Sequence, residues 1–327
     1  MSQLWTYLQA INQTLAEALR ADPRVFVMGE DVAEGGPFGA TAGLADEFGR
    51  ERVRDTPISE GTICGVAIGA AQAGLRPVVE IMFMDFLTLA LDQLVNQAAK
   101  AHYMSGGQLS VPLVLRTQGG AGQRAAAQHS QMFEAWVAHV PGLKVVMPST
   151  AQDAAGLLRT AIADPNPVVF IENKTLYFRK SPVPDTIPSI PFGQAAVRRP
   201  GRDLTIVATS RLVPEALAAA ERLSADGVEA EVIDPRSLVP FDLDTLLESL
   251  ARTHRLLVAH EAVGTAGFGA EVVAQVQSAG FDQLDAPIER VAAPFSPVPF
   301  SPALEDAYLP GQDEIWTAAR DLLSHRW

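Results

Sequence analysis

A single cysteine, Cys64, among 327 residues leaves no partner for an internal disulfide, so packing alone must hold the fold. No apolar run reaches the roughly 18–20 residues of a membrane-spanning helix. The nearest approach, IMFMDFLTLALDQLV, is interrupted by Asp85 and Asp92. Positive charge is scarce: 25 Lys and Arg against 38 Asp and Glu leave a formal charge of -13. That balance opposes nucleic-acid binding, which needs Lys and Arg to displace the counterions of the phosphate backbone. There is no HxxxH or paired-cysteine arrangement for a transition metal, and no GxxxxGK[ST] phosphate loop. The segment GFGAE at 267–271 offers only two glycines, short of a dinucleotide fingerprint. The start, MSQLWTYLQA, lacks the charged-then-apolar pattern of a secretory signal, and with the lone cysteine this leads to the expectation of a reducing, cytoplasmic setting.

What is present is ordinary globular composition, 48% hydrophobic and 19% charged. The chain is longer than one core of about 100–200 residues, so two domains are expected. The proline-rich stretch SPVPDTIPSIP, 181–191, reads as the junction because it sustains neither a helix nor a central strand. It divides a domain over 1–180 from one over 193–327, with 181–192 as linker. From 188 onward about 20 acidic and 11 basic residues stand against 18 and 14 before it. That acidic surface would suit a basic protein partner or serve only solubility.

Beyond the linker, apolar strand patterns at 204–210, 228–234, 255–262 and 287–293 alternate with helical ones, the signature of a parallel sheet covered on both faces. The N-terminal side follows the same grammar. Helix 6–21, strand 25–29, helix 61–74, strand 77–81 and a long helix 85–104 are followed by strands at 111–117, 143–148 and 167–172. Thr150 with Asp153 is a capping signal for a helix running towards Asp164. The fold class is therefore α/β, two parallel-sheet domains in series.

The segment RDTPISEGTICGVAIGAAQAG, 54–74, is the richest in chemical content. Pro57 keeps the approach extended, Glu60 opens a helix, and Gly65, Gly69 and Gly74 among alanines allow close approach to another backbone. Taken alone, Glu60 is accounted for by complementing the positive end of the helix. Met82 and Phe86, four apart, share a face if the next helix begins early enough, and such pairs commonly belong to a core. His129 lies at the end of the glycine-rich GGAGQRAAAQHSQ, 119–131, where it can relay protons or be a satisfied interior residue.

The words PISE (57–60), EIMFMDFLTLALDQLVNQAAK (80–100), AAAQHSQ (125–131), PGLKVVMPST (141–150), DPNPVVFIENKTLY (164–177), VIDPRSLVPFD (232–242), HEAVGTAGFGAE (260–271) and PALEDAYLP (302–310) together resemble the β subunit of thiamine-diphosphate-dependent 2-oxo acid dehydrogenases of the pyruvate, branched-chain and acetoin types. The resemblance spans nearly the whole chain. It implies a transketolase-like fold, a pyrimidine-binding domain followed by a transketolase C-terminal-like domain. It also implies that Glu60 bonds the aminopyrimidine ring of thiamine diphosphate, that Ile58, Met82 and Phe86 wall that ring, and that His129 stands in the active-site channel. A structural potassium site maps by the same resemblance to Leu113, Ala161, Ile162, Asp164 and Asn166.

Such enzymes hold the cofactor's diphosphate and Mg²⁺ with a GDG followed by asparagines, and this chain has no GDG. The resemblance implies that a separate α subunit supplies that half in an α₂β₂ heterotetramer, and that the acyl group passes to a lipoyl domain of a dihydrolipoyl acyltransferase. The strip Asp92, Gln93, Asn96 and Gln97 on an otherwise apolar helix fits an interface equally with deep burial. Rival readings are a transketolase-like transferase fragment and a non-catalytic docking subunit of the same fold.

Overall fold

The computed structural model describes residues 3–325. Its contacts divide the chain into two compact units, one running to Gly119 and resuming over Trp136–Phe192, the other made of Gly120–Ala135 and the chain from Gly193 onward.

In the first unit β1 (Gln3–Thr6) leads directly into α1 (Tyr7–Ala21). Thr6 ends the strand and caps the helix. Its hydroxyl accepts from the Gln9 amide at 3.0 Å while the Gln9 side chain accepts from the Thr6 amide at 2.8 Å, a reciprocal pair that satisfies two terminal donors. There follow β2 (Val25–Gly29), α2 (Leu44–Phe48), β3 (Val53–Asp55), α3 (Glu60–Gln72), β4 (Arg76–Ile81), a helical run ending in α4 (Ala99–Met104), and β5 (Val114–Gly119). After α5 (Glu134–Ala138), which begins in the second unit, come β6 (Lys144–Val146), α6 (Ala151–Ala163), β7 (Val168–Asn173) and β8 (Lys180–Val183). The sheet runs β6-β7-β5-β4-β2-β3 within this unit, every pair parallel. β2, β5 and β7 are buried throughout, which is why they read as unbroken apolar runs. Thr150 caps α6 by accepting from the Asp153 amide at 3.1 Å, as the sequence indicates.

The proline-rich segment does not hang free. Leu4 pairs with Pro182 where β1 and β8 run antiparallel, an edge position that tolerates proline, and Ile187 and Ile190 are buried in the core of the first unit. The expected single α-helix over 85–104 is also irregular. It opens at Met84 in tight three-residue turns through Ala90 and widens over Gln93–Ala98 before becoming regular. The buried positions suit the opening: Met84, Leu87 and Ala90, buried there along with Asp85, recur every third residue, a spacing that three-residue turns stack on one face. Met82 therefore precedes the helix, and Met82 and Phe86 do not share a helical face.

In the second unit β9 (Ala196–Arg199), β10 (Leu204–Ala208), α7 (Leu212–Ala225), β11 (Ala230–Asp234), β12 (Ser237–Val239), α8 (Leu243–Thr253), β13 (Leu256–Val263), α9 (Phe268–Ala279), β14 (Glu289–Ala293), α10 (Pro302–Tyr308) and α11 (Gln312–Ser324) follow in order. Its five-stranded sheet is ordered β14-β13-β10-β11-β9, parallel except for β9, which closes the edge antiparallel to β11.

Candidate active site

Chain order locates the ligand crevice of the first unit. From β2 the chain goes to β3 on one side and then to β4 on the other, so the sheet order reverses between β2 and β4. In open parallel sheets ligands bind beyond the carboxyl ends of the strands at such a point. Glu30 follows β2 directly, Met82 and Phe83 follow β4, and Glu60 opens α3 just after β3.

Glu60 is only 6% exposed, yet its carboxylate has no hydrogen-bond or ion-pair partner among the described residues. Neither of its oxygens is among the enclosed atoms that lack a partner, so the carboxylate of this buried residue still opens outward with its accepting capacity unused. This is the arrangement expected of a group that meets a ligand. Burial, with the nearby Glu60 and Asp31 carboxylates, pushes the Glu30 carboxyl up from its ordinary value. The Cys64 thiol, buried one turn along α3, is pushed up to about 12 by burial and by Glu60, so it is no nucleophile. The small residues of α3 do what their size suggests. A Cβ on Gly61 would lie 3.2 Å from the Leu89 carbonyl, and one on Gly65 would lie 3.4 Å from Gln93 Oε1.

Phe86 and Met82 are half-buried, and Ile58 is 82% exposed on the approach to α3. Phe86 meets Phe83 edge-on, with centroids 6.0 Å apart at 89°. The first turns of α3, which carry Glu60, pack on the helical run that carries Phe86.

His129 belongs to the second unit. Its loop passes through left-handed backbone at Arg124 (φ 58°) and Ala126 (φ 60°) and is tied down by carboxylates from β13 and α10. The Ala121 amide donates to Glu261 at 2.6 Å and the Gly122 amide to Glu305 at 2.7 Å. Arg124 bonds Glu305 at 2.6 Å and Asp306 at 2.7 Å. Glu134, at the start of α5, is 1% exposed with no well-formed hydrogen bond to either oxygen, and burial pushes it up to about 7, its own backbone amide opposing the shift and the charge of Glu261 adding to it. Sequence reasoning missed these anchors, which lie some 140 and 183 residues from the loop they hold. It also left His260 unassigned. The structure buries it in β13, its ring nitrogens without hydrogen-bond partners and its pKa pushed down to about 4 by burial and by Arg290. Gly269 passes so close that a Cβ there would lie 2.7 Å from the imidazole, so the glycines of GFGAE serve packing.

The five positions of the potassium reading lie just before β5 and between the end of α6 and β7, at the amino-terminal ends of those strands. The Leu113 carbonyl accepts from the Val168 amide at 2.9 Å, the Ile162 carbonyl from Arg76 at 2.6 Å, and Asp164 from the Asn166 amide at 2.8 Å. Lys144 pairs with the other Asp164 oxygen.

Comparison with known proteins divides the chain at its proline-rich segment and assigns Gly120–Ala135 to the N-terminal domain, whereas the contacts group that loop with the second unit. Residues 4–180 match the transketolase pyrimidine-binding domain and 193–315 the transketolase C-terminal domain. A solved structure described as a split-gene transketolase, an inactive β₄ tetramer, superposes with a TM-score of 0.79 over 98% of this chain and 99% of that one, at 25% identity. The class is thus a transketolase-like α/β protein. Nearer relatives narrow it. The chain is 47% identical to the β subunit of acetoin:2,6-dichlorophenolindophenol oxidoreductase from Bacillus subtilis, over 99% of this chain and 98% of that one. It is 48% identical to the pyruvate dehydrogenase E1 component subunit beta of Rickettsia felis (96% and 97% covered), and 47% to the mitochondrial E1 subunit beta-2 of rice (96% and 85%). The chain belongs to this family of thiamine-diphosphate-dependent oxidoreductase β subunits. The gap between 47% and 25% identity sets these relatives ahead of the transferase reading.

Proposed function

We propose that this chain supplies the pyrimidine-side half of the active site of a 2-oxo acid or acetoin dehydrogenase. The observation that carries the proposal is Glu60, a buried carboxylate at the switch point of a parallel sheet with no partner of its own. When bound, thiamine diphosphate supplies the electron sink needed to cleave the substrate beside its carbonyl. Glu60 would hold a proton at the pyrimidine ring nitrogen, its position set by the first turn of α3. Phe86, Met82 and Ile58 would orient the ring and exclude water, and His129 would move protons at the substrate or meet the lipoyl group.

The chain has no GDG, so the diphosphate and Mg²⁺ fall to an α subunit in an α₂β₂ assembly. Exposed apolar side chains on the first unit support such an interface: Val66 on α3, with Leu89, Tyr103 and Met104 on the helical run. The acyl group would pass to the lipoyl domain of a dihydrolipoyl acyltransferase, in a cytoplasmic setting. Potassium would bind at Leu113, Ala161, Ile162, Asp164 and Asn166 through oxygen donors, the ligand type a hard cation prefers. Coexpression with the α subunit, followed by dye reduction with pyruvate, branched-chain 2-oxo acids and acetoin, tests the proposal. Activity is expected only from the assembly, and turnover by the isolated chain overturns the divided site.

A further inference from the structure

Behind Phe86 lies a chain of aromatic contacts that no catalytic role requires. Phe83, the edge-on neighbour of Phe86, meets Phe38 at 6.1 Å and 80°. Phe38 lies 5.2 Å from Tyr177, and Tyr177 lies 6.0 Å from Tyr7 on α1. On another side of Phe83 stands the ammonium of Lys174, 5.2 Å from the ring centroid and fully buried at the end of β7. A buried cation over an aromatic ring is a strong, directional restraint because no water competes for the charge.

A buried ionic layer anchors the chain. The Tyr177 hydroxyl donates to Glu172 at 2.6 Å, and Arg116 grips the same carboxylate with two bonds of 2.7 and 2.9 Å. Arg116 also reaches Glu80 at 2.6 Å, and Glu80 accepts from Gln118 at 3.0 Å. Burial opposes the guanidinium charge, but Glu172 and Glu80 overcome it and hold the Arg116 pKa above its ordinary value. Burial and then Glu172 raise Tyr177 well above the usual phenol value, so its hydroxyl remains a donor. The loop that brings Phe38 closes over the same layer: Gly36 adopts φ +68°, and a Cβ there would lie 3.1 Å from Glu80 Oε1. β4, β5 and β7 thus each contribute a charged residue beneath one aromatic stack.

We infer that Lys174 and Tyr177 are positioning residues, which hold Phe83 and through it fix Phe86 at the orientation needed to receive the cofactor's pyrimidine ring. The inference rests on the proposed pyrimidine-side role of Phe86. Neither residue touches the ring; their effect is on how much of the binding geometry exists before the cofactor arrives, and preorganisation of this kind appears in affinity.

The test uses the assembly with the α subunit, compares Lys174→Met, Tyr177→Phe, Phe83→Leu and Phe83→Tyr with wild type, and titrates thiamine diphosphate in Mg²⁺ by calorimetry as well as by activity. Lys174→Met, Tyr177→Phe and Phe83→Leu should weaken cofactor binding by about 3–10-fold, with kcat at saturating cofactor within about twofold. Phe83→Tyr, which keeps the ring, should bind as wild type does. Phe86→Ala separates the two claims. If it leaves cofactor affinity unchanged, the pyrimidine-wall reading fails; if it weakens binding while the Lys174 and Tyr177 variants bind normally, the positioning inference alone is overturned. A fall in kcat without a change in cofactor affinity also overturns it.

Discussion

Glu134 offers a quantitative check on the second unit that needs neither cofactor nor partner. Its carboxyl is buried, without a well-formed hydrogen bond and near Glu261, and burial lifts it from 4.5 to about 7. The folded chain therefore keeps a proton that the unfolded chain releases near 4.5. The contribution to stability is fully present below that pH and is lost as pH rises through about 7. A shift of this size corresponds to about 3 kcal/mol at 1.36 kcal/mol per pH unit. Glu134→Gln keeps the shape and removes the titration. Its melting temperature minus that of wild type should thus grow between pH 5 and 8, reaching roughly 6 °C at about 2 °C per kcal/mol for a chain of this size. Scanning calorimetry of both proteins across that range makes the comparison, with other titrations cancelling in the difference. Parallel pH profiles would refute the reasoning and would mean that Glu134 is ionised and paired in solution.

Other sites yield sharper local outcomes. Gly269→Ala places a methyl 2.7 Å from the buried His260 ring and should cost about 1–3 kcal/mol of stability, read from denaturant melts. Arg116→Met strands Glu80 and Glu172 without their shared cation and should destabilise by about 3–5 kcal/mol, or prevent accumulation of folded chain. His129→Gln should lower dye reduction by about 10²–10⁴-fold in the assembly while leaving the melting temperature unchanged; equal losses of both would make it a structural residue. Replacing K⁺ with Na⁺ should lower the melting temperature, and equal melting in both ions would remove potassium from the account.

Much of this was legible in the residues themselves. Buried parallel strands announce themselves as apolar runs, and β2, β5, β7, β10 and β13 lie where those runs predict. Glu60 was visible as the first residue of a glycine-rich helix, and the family words around it supplied a role that its position alone did not. The misses share one cause, that the deciding interaction is distant in the chain. Nothing local marks β9 as the antiparallel edge of its sheet, since that depends on pairing with β11 some 30 residues on. The tightened start of the helical run suits the side chains that are buried there, a choice invisible to a helical wheel. Nothing in the sequence singles out Phe83 or Lys174, because their pairing of ring and ammonium joins residues some 90 positions apart.

The central claim is that Glu60 is buried without a partner because its partner is the cofactor. The most direct measurement is dye reduction by the assembly carrying Glu60→Gln, at saturating thiamine diphosphate and Mg²⁺, alongside calorimetric cofactor binding. A loss of about 10²–10⁴-fold in turnover with the assembly intact is the predicted result. Turnover within a few fold of wild type would contradict it and return Glu60 to the role of a helix-end charge.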